Sequence, residues 1–317
     1  MKCAIICGIS GQDGAYLAQL LLSKDYKVVG TSRDAEAGSF SNLEKLGIKS
    51  RVTLTSMALN DFRSVLQVIA KYEPLEIYNL AGQSSVGLSF SQPLETMESI
   101  AAGTLNLLEA IRFTNKKIRF YNAGSGDVFG DTGNEPAKEN TILRPRSPYA
   151  VAKASAFWQV ANYREAYDLF SCTGLLFNHE SPLRPKHYVT QKIIKSARQI
   201  ASGNLDKLVL GNLAITRDWG WAPEYVEAMW LMLQIPEAED FVIATGISCS
   251  LEQFVEKVFA PHGLNWEKYV QVDKSLLRPL DVHTSMGDPA KAKRKLGWKS
   301  KTTLDQIISK MTADLFW

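Results

Sequence analysis

Ser125, Asp127, Tyr149 and Lys153 bring a hydroxyl, a carboxylate, a phenol and an amine into one stretch, downstream of a glycine-rich turn at Gly8, Gly11 and Gly14. Tyr149-x-x-x-Lys153 sets two side chains on one face of a helix. There an ammonium near the phenol lowers a pKa that would otherwise be about 10. A tyrosinate beside a substrate hydroxyl acts as a general base while hydride leaves for a nicotinamide. This four-residue spacing is common in helices with no catalytic role, so its weight comes from context. Arg146-Ser147-Pro148 makes a helix start just before Tyr149, and a predicted strand over 118–123 ends at Gly124-Ser125-Gly126-Asp127. Ser125 is then expected to hydrogen-bond the same substrate oxygen as Tyr149, whereas an isolated Ser-Gly-Asp would read as a capped turn.

Those groups need a cofactor beside them, and the start of the chain supplies the signal for one. Gly8-Ile9-Ser10-Gly11-Gln12-Asp13-Gly14 follows a short apolar strand and opens an apolar helix. Small residues let the backbone approach a pyrophosphate, and the helix N-terminus offers N–H donors and a favourable dipole. The expected cofactor contacts are therefore Gly8, Ser10, Gly11, Gln12, Asp13 and Gly14. The second strand ends at Ser32-Arg33 with no acidic residue at its tip. Arg33 suits a 2′-phosphate, so NADP is expected over NAD, although Asp34 next to it could take the ribose-diol role instead.

The elements that must position these residues alternate regularly. Strands are predicted over 3–7, 27–32, 51–55, 76–80, 118–123 and 171–177, with helices near 14–23, 61–72, 95–113 and 147–168. Such alternation predicts a doubly wound parallel α/β sheet of the Rossmann kind, with ligands at the carboxyl ends of its strands. After Asn178 the pattern loosens into proline-containing loops and helices near 190–202, 222–234, 251–260 and 303–314. This predicts a nucleotide-binding domain over 1–177, with returns near 212–245, and a smaller mixed α/β substrate lobe over 178–317 interleaved with it. The chain has 317 residues, 45% hydrophobic and 22% charged, with a net charge of +3. That is too mild, and too evenly spread, to imply nucleic acid or a membrane surface. No apolar run approaches a membrane span, and Cys3, Cys7, Cys172 and Cys249 lack metal or redox spacing. They read as reduced cysteines of a cytoplasmic protein.

Longer strings narrow the reading. The chain resembles the extended short-chain dehydrogenase/reductases, and within them the GDP-mannose 4,6-dehydratases. The matching strings include Tyr78-Asn79-Leu80-Ala81, Gln83-Ser84, Arg146-Ser147-Pro148-Tyr149-Ala150-Val151-Ala152-Lys153, Asn178-His179-Glu180-Ser181-Pro182 and Arg217-Asp218-Trp219-Gly220. The resemblance implies a redox-neutral reaction on a GDP-hexose. Tyr149 would deprotonate the C4 hydroxyl as hydride passes to NADP, and a carboxylate would remove the C5 proton as the C6 hydroxyl leaves. Hydride would then return to C6, giving a GDP-4-keto-6-deoxy sugar. It also implies cofactor contacts from Leu80, Ala81, Gln83, Asn178 and His179 together with Tyr149 and Lys153, and substrate contacts from Ser84, Asn178, Lys192, Gly211, Arg217, Arg278 and Asp281. His179 reads otherwise as a structural histidine, and Trp219 and Trp221 as core or pocket wall.

The chain departs from that pattern in three places. Ser125-Gly126-Asp127 stands where Thr-x-Glu is usual, and Asp is one methylene shorter. A base that stops short of the C5 proton would leave hydride transfer intact and lose elimination. Met57-Ala58-Leu59 lacks the Asp usual for the adenine amino group. The loop over 33–42 has one arginine, Arg33, where relatives carry a pair used for tetramers, so a helix-paired homodimer is expected and a tetramer left open. An NADPH-dependent 4-keto reductase or 4-epimerase of a GDP-sugar, including GDP-heptoses, stays as the alternative if Asp127 is not basic. A non-catalytic nucleotide-binding protein on the same fold is a third reading, which the complete Ser–Tyr–Lys set argues against.

Overall fold

The computed structural model describes residues 1–114, 117–277 and 279–316. In the first half, β1 (Cys3–Cys7), β2 (Lys27–Ser32), β3 (Thr53–Ser56), β4 (Glu76–Asn79), β5 (Arg119–Ala123) and β6 (Ser171–Leu176) alternate with helices. Further on come β7 (Asn178–Glu180), β8 (Leu208–Leu210), β9 (Thr216–Trp221), β10 (Phe241–Ile243), β11 (Ser248–Ser250), β12 (Val270–Val272) and β13 (Thr284–Ser285). Seven strands form one parallel sheet in the order β3-β2-β1-β4-β5-β6-β10. Strand order reverses at β1, whose neighbours are β2 and β4, and a crevice opens there beyond the strand ends.

The near-continuous apolar reading of β1 follows from helices on both of its faces. Ile5 and Ile6 are both fully buried but belong to different cores. Ile6 packs with Leu17 and Leu21 of the helix Gln12–Ser23 and with Val226 and Met229 of the helix Ala222–Met232. Ile5 packs with Val65 and Ile69 of Phe62–Tyr72, Leu107 and Ile111 of Gly103–Thr114, and Val160 of Pro148–Tyr167. Each such side chain contributes roughly 1.5–3 kcal/mol by leaving water. Alternation of side chains along the strand thus clamps β1 between two layers and fixes where its carboxyl end points.

The later part of the chain adds two things. The helix Ala222–Met232 and β10 return to the parallel sheet. A second core then forms where Ile193 and Ala197 of Val189–Ala201, Phe254 and Val258 of Leu251–Phe259 and Ile307 and Met311 of Leu304–Thr312 close on Trp219 and Trp221 of β9. β9 pairs in parallel with β7 and β13 and antiparallel with β11, so this smaller sheet is mixed in strand direction. The predicted helix over 95–113 is instead Pro93–Met97, a π turn at Glu98–Ala102 and Gly103–Thr114. Short helices at Ser41–Lys45, Val86–Ser91 and Ala290–Leu296 had no periodic signal to announce them.

The turn after β1 shows why its glycines are required. Gly8 adopts φ +82°, a backbone region side chains rarely enter. A Cβ on Gly14 would sit 2.4 Å from the Gly8 carbonyl oxygen and 2.8 Å from the Ile9 Cα. Both neighbours are backbone, so neither gives way by a rotamer change. Gly14→Ala is expected to cost about 1–3 kcal/mol, the range for overpacking. Urea unfolding of the variant would show it as a lowered midpoint at unchanged slope.

Candidate active site

The glycine turn is tied down by residues far along the chain. Asp13 Oδ2 lies 2.9 Å from His179 Nε2, and His179 Nδ1 lies 2.8 Å from the Phe177 carbonyl oxygen. Both ring nitrogens face acceptors, so both must donate, and the imidazole is cationic. Asp13 holds the imidazole pKa above its ordinary value, although burial alone would push it down. The opposed charge of His179 and hydrogen bonds from His179 and Gln12 bring the Asp13 carboxyl below the usual range, against the larger upward pull of burial. Around this pair Gln12 Nε2 donates to Asp13 Oδ1 at 2.9 Å, Ser181 Oγ donates to Gln12 Oε1 at 2.8 Å, and the His179 ring stacks on Tyr225 with centroids 4.5 Å apart. Both ring nitrogens of His179 are thus engaged in contacts within the fold.

The catalytic group is built from two element ends. Ser147 caps the helix Pro148–Tyr167, its Oγ accepting from the Ala150 N–H at 3.1 Å, with Pro148 at the first helical position. This places Tyr149 in the first turn and Lys153 one turn on, both buried. Past β5, Ser125 caps the short 3₁₀ turn Gly126–Phe129, its Oγ accepting from the Asp127 N–H at 3.2 Å. Lys153 Nζ donates to the Ala123 carbonyl oxygen at 2.7 Å, which locks the helix to the end of β5.

One electrostatic expectation is reversed. Lys153 does not make Tyr149 more acidic here: burial pushes the phenol well above its ordinary value, and the nearby Asp127 charge adds to that. The Ser125 hydroxyl and, more weakly, Arg184 pull the other way. Burial also lowers the Lys153 ammonium to about 8. The cause is common to both groups: desolvation disfavours whichever form is charged. At 5.8 Å from the Tyr149 ring centroid, the ammonium is held by Ala123 rather than by the phenol oxygen.

A cleft of about 900 Å³ runs from the glycine turn past this group. Of the expected cofactor contacts, Gly8, Ser10, Gly11, Gln12, Asp13 and Gly14 line one end with Arg33, and Leu80, Ala81 and Gln83 line the adjoining wall. Ser125, Asp127, Tyr149 and Lys153 lie midway, with Asn178 and His179 beside them and Ser84 and Arg217 also on the wall. The glycine cradle, the helix N-terminus behind it and the absence of any Cβ between them fit a dinucleotide pyrophosphate. Asp34 turns its Oδ1 onto the Glu36 and Ala37 N–H groups, both at 2.9 Å, so its carboxylate is spent on its own loop. Arg33 is mostly exposed and 3.7 Å from Glu95.

Three expected substrate contacts stand off the cleft wall. Lys192 Nζ donates to the Val209 carbonyl oxygen at 2.6 Å, Asp281 lies 3.8 Å from Arg217, and Gly211 packs against the backbone of Leu276. Arg278 lies outside the described residues. Arg217 also donates to the carbonyl oxygens of Val282 and His283, at 2.8 and 3.2 Å. Sequence reasoning missed Arg184 and Tyr188, which line the cleft from a loop that carried only proline signals. Arg184 is braced by buried Glu180 at 3.1 Å and by the His179 carbonyl oxygen at 2.8 Å. Its four-residue spacing from Glu180 was the available signal. Among the described residues no group of His, Cys, Asp or Glu could hold a metal, and no helix is long and apolar enough to cross a membrane.

A doubly wound sheet with a glycine turn, a helix-borne Tyr and Lys and a mixed second sheet defines an extended short-chain dehydrogenase/reductase. Solved structures of that class superpose closely. UDP-glucose 4-epimerase from Thermus thermophilus, in complex with NAD, matches with a TM-score of 0.86 at 24% identity, over 99% of this chain and 98% of that one. The dTDP-glucose 4,6-dehydratase of Streptomyces venezuelae gives 0.87 at 19% identity, over 98% and 96%. The chain belongs to the GDP-mannose 4,6 dehydratase family, whose model matches residues 5–311. GDP-mannose 4,6 dehydratase 1 of Arabidopsis thaliana is 42% identical, covering 98% of this chain and 88% of that protein. GDP-mannose 4,6 dehydratase 2 of Caenorhabditis elegans is 44% identical, with 98% and 88% covered.

The Asp13–His179 pair gives the stability of the fold a defined pH dependence. The folded pKa of His179 is raised above 6.5, so its contribution is full below 6.5 and is lost as pH rises through the raised value. Asp13 is lowered below 3.8, so its contribution is present above 3.8 and is lost as pH falls through the lowered value. Asp13→Asn should therefore destabilise most between these limits, by about 3–5 kcal/mol. The difference from the unmodified protein in urea unfolding should shrink as pH rises above 6.5 through the raised His179 value.

Proposed function

We propose that this protein is a GDP-mannose 4,6-dehydratase that works with NADP. The observation that carries the reading is one cleft holding a glycine cradle, the Ser125–Tyr149–Lys153 group and a second carboxylate, Asp127, in a chain of this family. A bound nicotinamide dinucleotide supplies the hydride acceptor and donor. Tyr149 takes the C4 hydroxyl proton, with Ser125 donating to the oxygen that becomes the ketone. Lys153, pinned by Ala123, has two N–H donors left for the cofactor ribose and the phenol oxygen. Asp127 removes the C5 proton, which the 4-keto group has made acidic, and passes it to the departing C6 hydroxyl, which leaves as water. C6 then takes back the hydride removed from C4 and C5 takes a proton from solvent, so the cofactor ends as it began.

Several details support the finer parts of the reading. Arg33 lies exposed just past β2, 3.7 Å from its ion-pair partner, exposed Glu95, while Asp34 is engaged with its own loop, which favours a 2′-phosphate over a ribose diol. The four free cysteines suit a reducing compartment, and we place the protein in the cytoplasm. A homodimer is favoured by three neighbouring helices, Pro93–Met97, Gly103–Thr114 and Pro148–Tyr167. Leu94 and Leu105 on one side, and Val151 and Trp158 on Pro148–Tyr167, form an exposed apolar stripe, with Leu94 76% and Trp158 61% exposed. Exposed apolar side chains on neighbouring helices suit a second copy of the chain across a two-fold axis.

Two measurements test this reading. Incubation with GDP-mannose and either NADP or NAD, followed by mass analysis, should show loss of one water, with NADP the better cofactor and no net consumption of the reduced form. Asp127→Asn should abolish solvent deuterium entry at C5 and cut turnover by about 10²–10⁴-fold. Net NADPH consumption without dehydration would sink the dehydratase reading in favour of a ketone reductase. Light scattering should give twice the 35.2 kDa chain mass, and Trp158→Glu should bring it down to one chain without loss of fold.

A further inference from the structure

The cleft that holds Ser125 and Tyr149 is also lined by a second hydroxyl pair that the proposed chemistry does not use. Tyr188 precedes the helix Val189–Ala201 in extended conformation and lines the cleft. Its Oη lies 2.8 Å from Ser84 Oγ and 3.3 Å from the Ser84 carbonyl oxygen, a bridge between residues 104 positions apart. The ring is held in place from both sides. The Arg184 guanidinium stacks 4.1 Å from its centroid and the His187 ring 4.5 Å away, while Arg184 itself is fixed by Glu180 and by the His179 carbonyl oxygen. Few rotatable bonds and firm packing make this hydroxyl a preorganised polar group. It is also close enough to Tyr149 to bear electrostatically on the catalytic phenol.

We infer that Tyr188, paired with Ser84, is a specificity-determining contact that reads a non-reacting hydroxyl of the hexose. Two hydroxyl oxygens in contact fill only part of their donor and acceptor capacity, and both remain open to the cleft. The atoms that change in the reaction, at C4, C5 and C6, face Ser125, Asp127 and Tyr149. The hydroxyls left over are those on C2 and C3, and a second hydroxyl pair lining the same cleft is the complementary group for one of them. The inference rests on the proposed reading of the site as a GDP-hexose site and adds to it the group that senses sugar configuration.

Tyr188→Phe removes only the oxygen. With GDP-mannose, KM should rise about three- to tenfold, the value of one neutral hydrogen bond, with kcat changed less. With the GDP-mannose analogue that lacks the recognised hydroxyl, 2-deoxy or 3-deoxy, the unmodified enzyme should already show that raised KM and the variant should add nothing. Calorimetry should show the same loss for GDP-mannose and none for GDP alone. An unchanged KM for GDP-mannose overturns the inference. So does an equal loss for GDP-mannose, both deoxy analogues and GDP, which marks the bridge as a structural strap. If the unmodified protein converts no GDP-hexose, the functional reading falls and this inference with it; conversion together with an indifferent Tyr188→Phe overturns this inference alone.

Discussion

A buried ion pair between Asp13 and His179 sets the geometry on which everything in the cleft depends. It joins the first turn of the chain to β7 across 166 positions of sequence. Desolvating two charges is costly, and only close contact with further hydrogen bonds offsets it. The pair has these: the Phe177 carbonyl oxygen on the second ring nitrogen, the Gln12 amide on the carboxylate, and Tyr225 stacked on the ring. Its consequence is positional. The glycine turn cannot shift relative to the Asn178–Glu180 strand, and that strand is paired with β9, which carries Arg217. The glycine turn and the cleft wall that carries Arg217 are therefore tied together through β7.

Burial that stabilises this arrangement also acts on the catalytic groups. The same desolvation that raises Tyr149 lowers Lys153, so neither group is charged cheaply in the free protein. The short spacing between them is a mechanical fact before it is an electrostatic one. Lys153 fastens the helix Pro148–Tyr167 to the carboxyl end of β5, and Ser147 fixes the first turn, so the phenol is aimed by both. Ionisation of Tyr149 is then tied to the charge that substrate and cofactor bring into the cleft, which confines base strength to the assembled complex.

The sequence was most legible where physics is local. The alternation of apolar strands and amphipathic helices located the parallel sheet, because strands covered on both faces have few other compositions open to them. The glycine turn was readable because backbone at Gly8 and Gly14 leaves no room for a Cβ. Less legible were features made by distant contacts. Gln12 and Asp13 looked like residues facing a ligand, yet three of their four side-chain hydrogen bonds go to His179 and Ser181. Arg184 and Tyr188 sat in a loop with no period to mark them, and only the packing of Glu180 beneath them gives them a fixed direction. The π turn at Glu98–Ala102 kept the apolar spacing of a helix and so escaped detection. The acidity of Tyr149 was misjudged because spacing reports proximity to Lys153 and says nothing about the depth of burial.

The shortened carboxylate at Asp127 can be weighed in these terms. Its backbone N–H is bound to Ser125 Oγ within a single capped turn, and the residues on either side of it are buried, so the main chain has no freedom to bring the carboxylate forward. Reach toward C5 is fixed by the side chain alone, one methylene less than a glutamate provides. Elimination then depends on how far the sugar is pressed toward this carboxylate, which is decided by other groups lining the cleft. Those groups are rigid: Arg184 clamped by Glu180, Tyr188 stacked on Arg184, and Ser84 held at 2.8 Å from the Tyr188 hydroxyl. A misplacement of about 1 Å can cost two orders of magnitude in rate. On the proposed reading, the Arg184, Tyr188 and Ser84 cluster shares with the Asp127 carboxylate the placing of the proton transfer at C5.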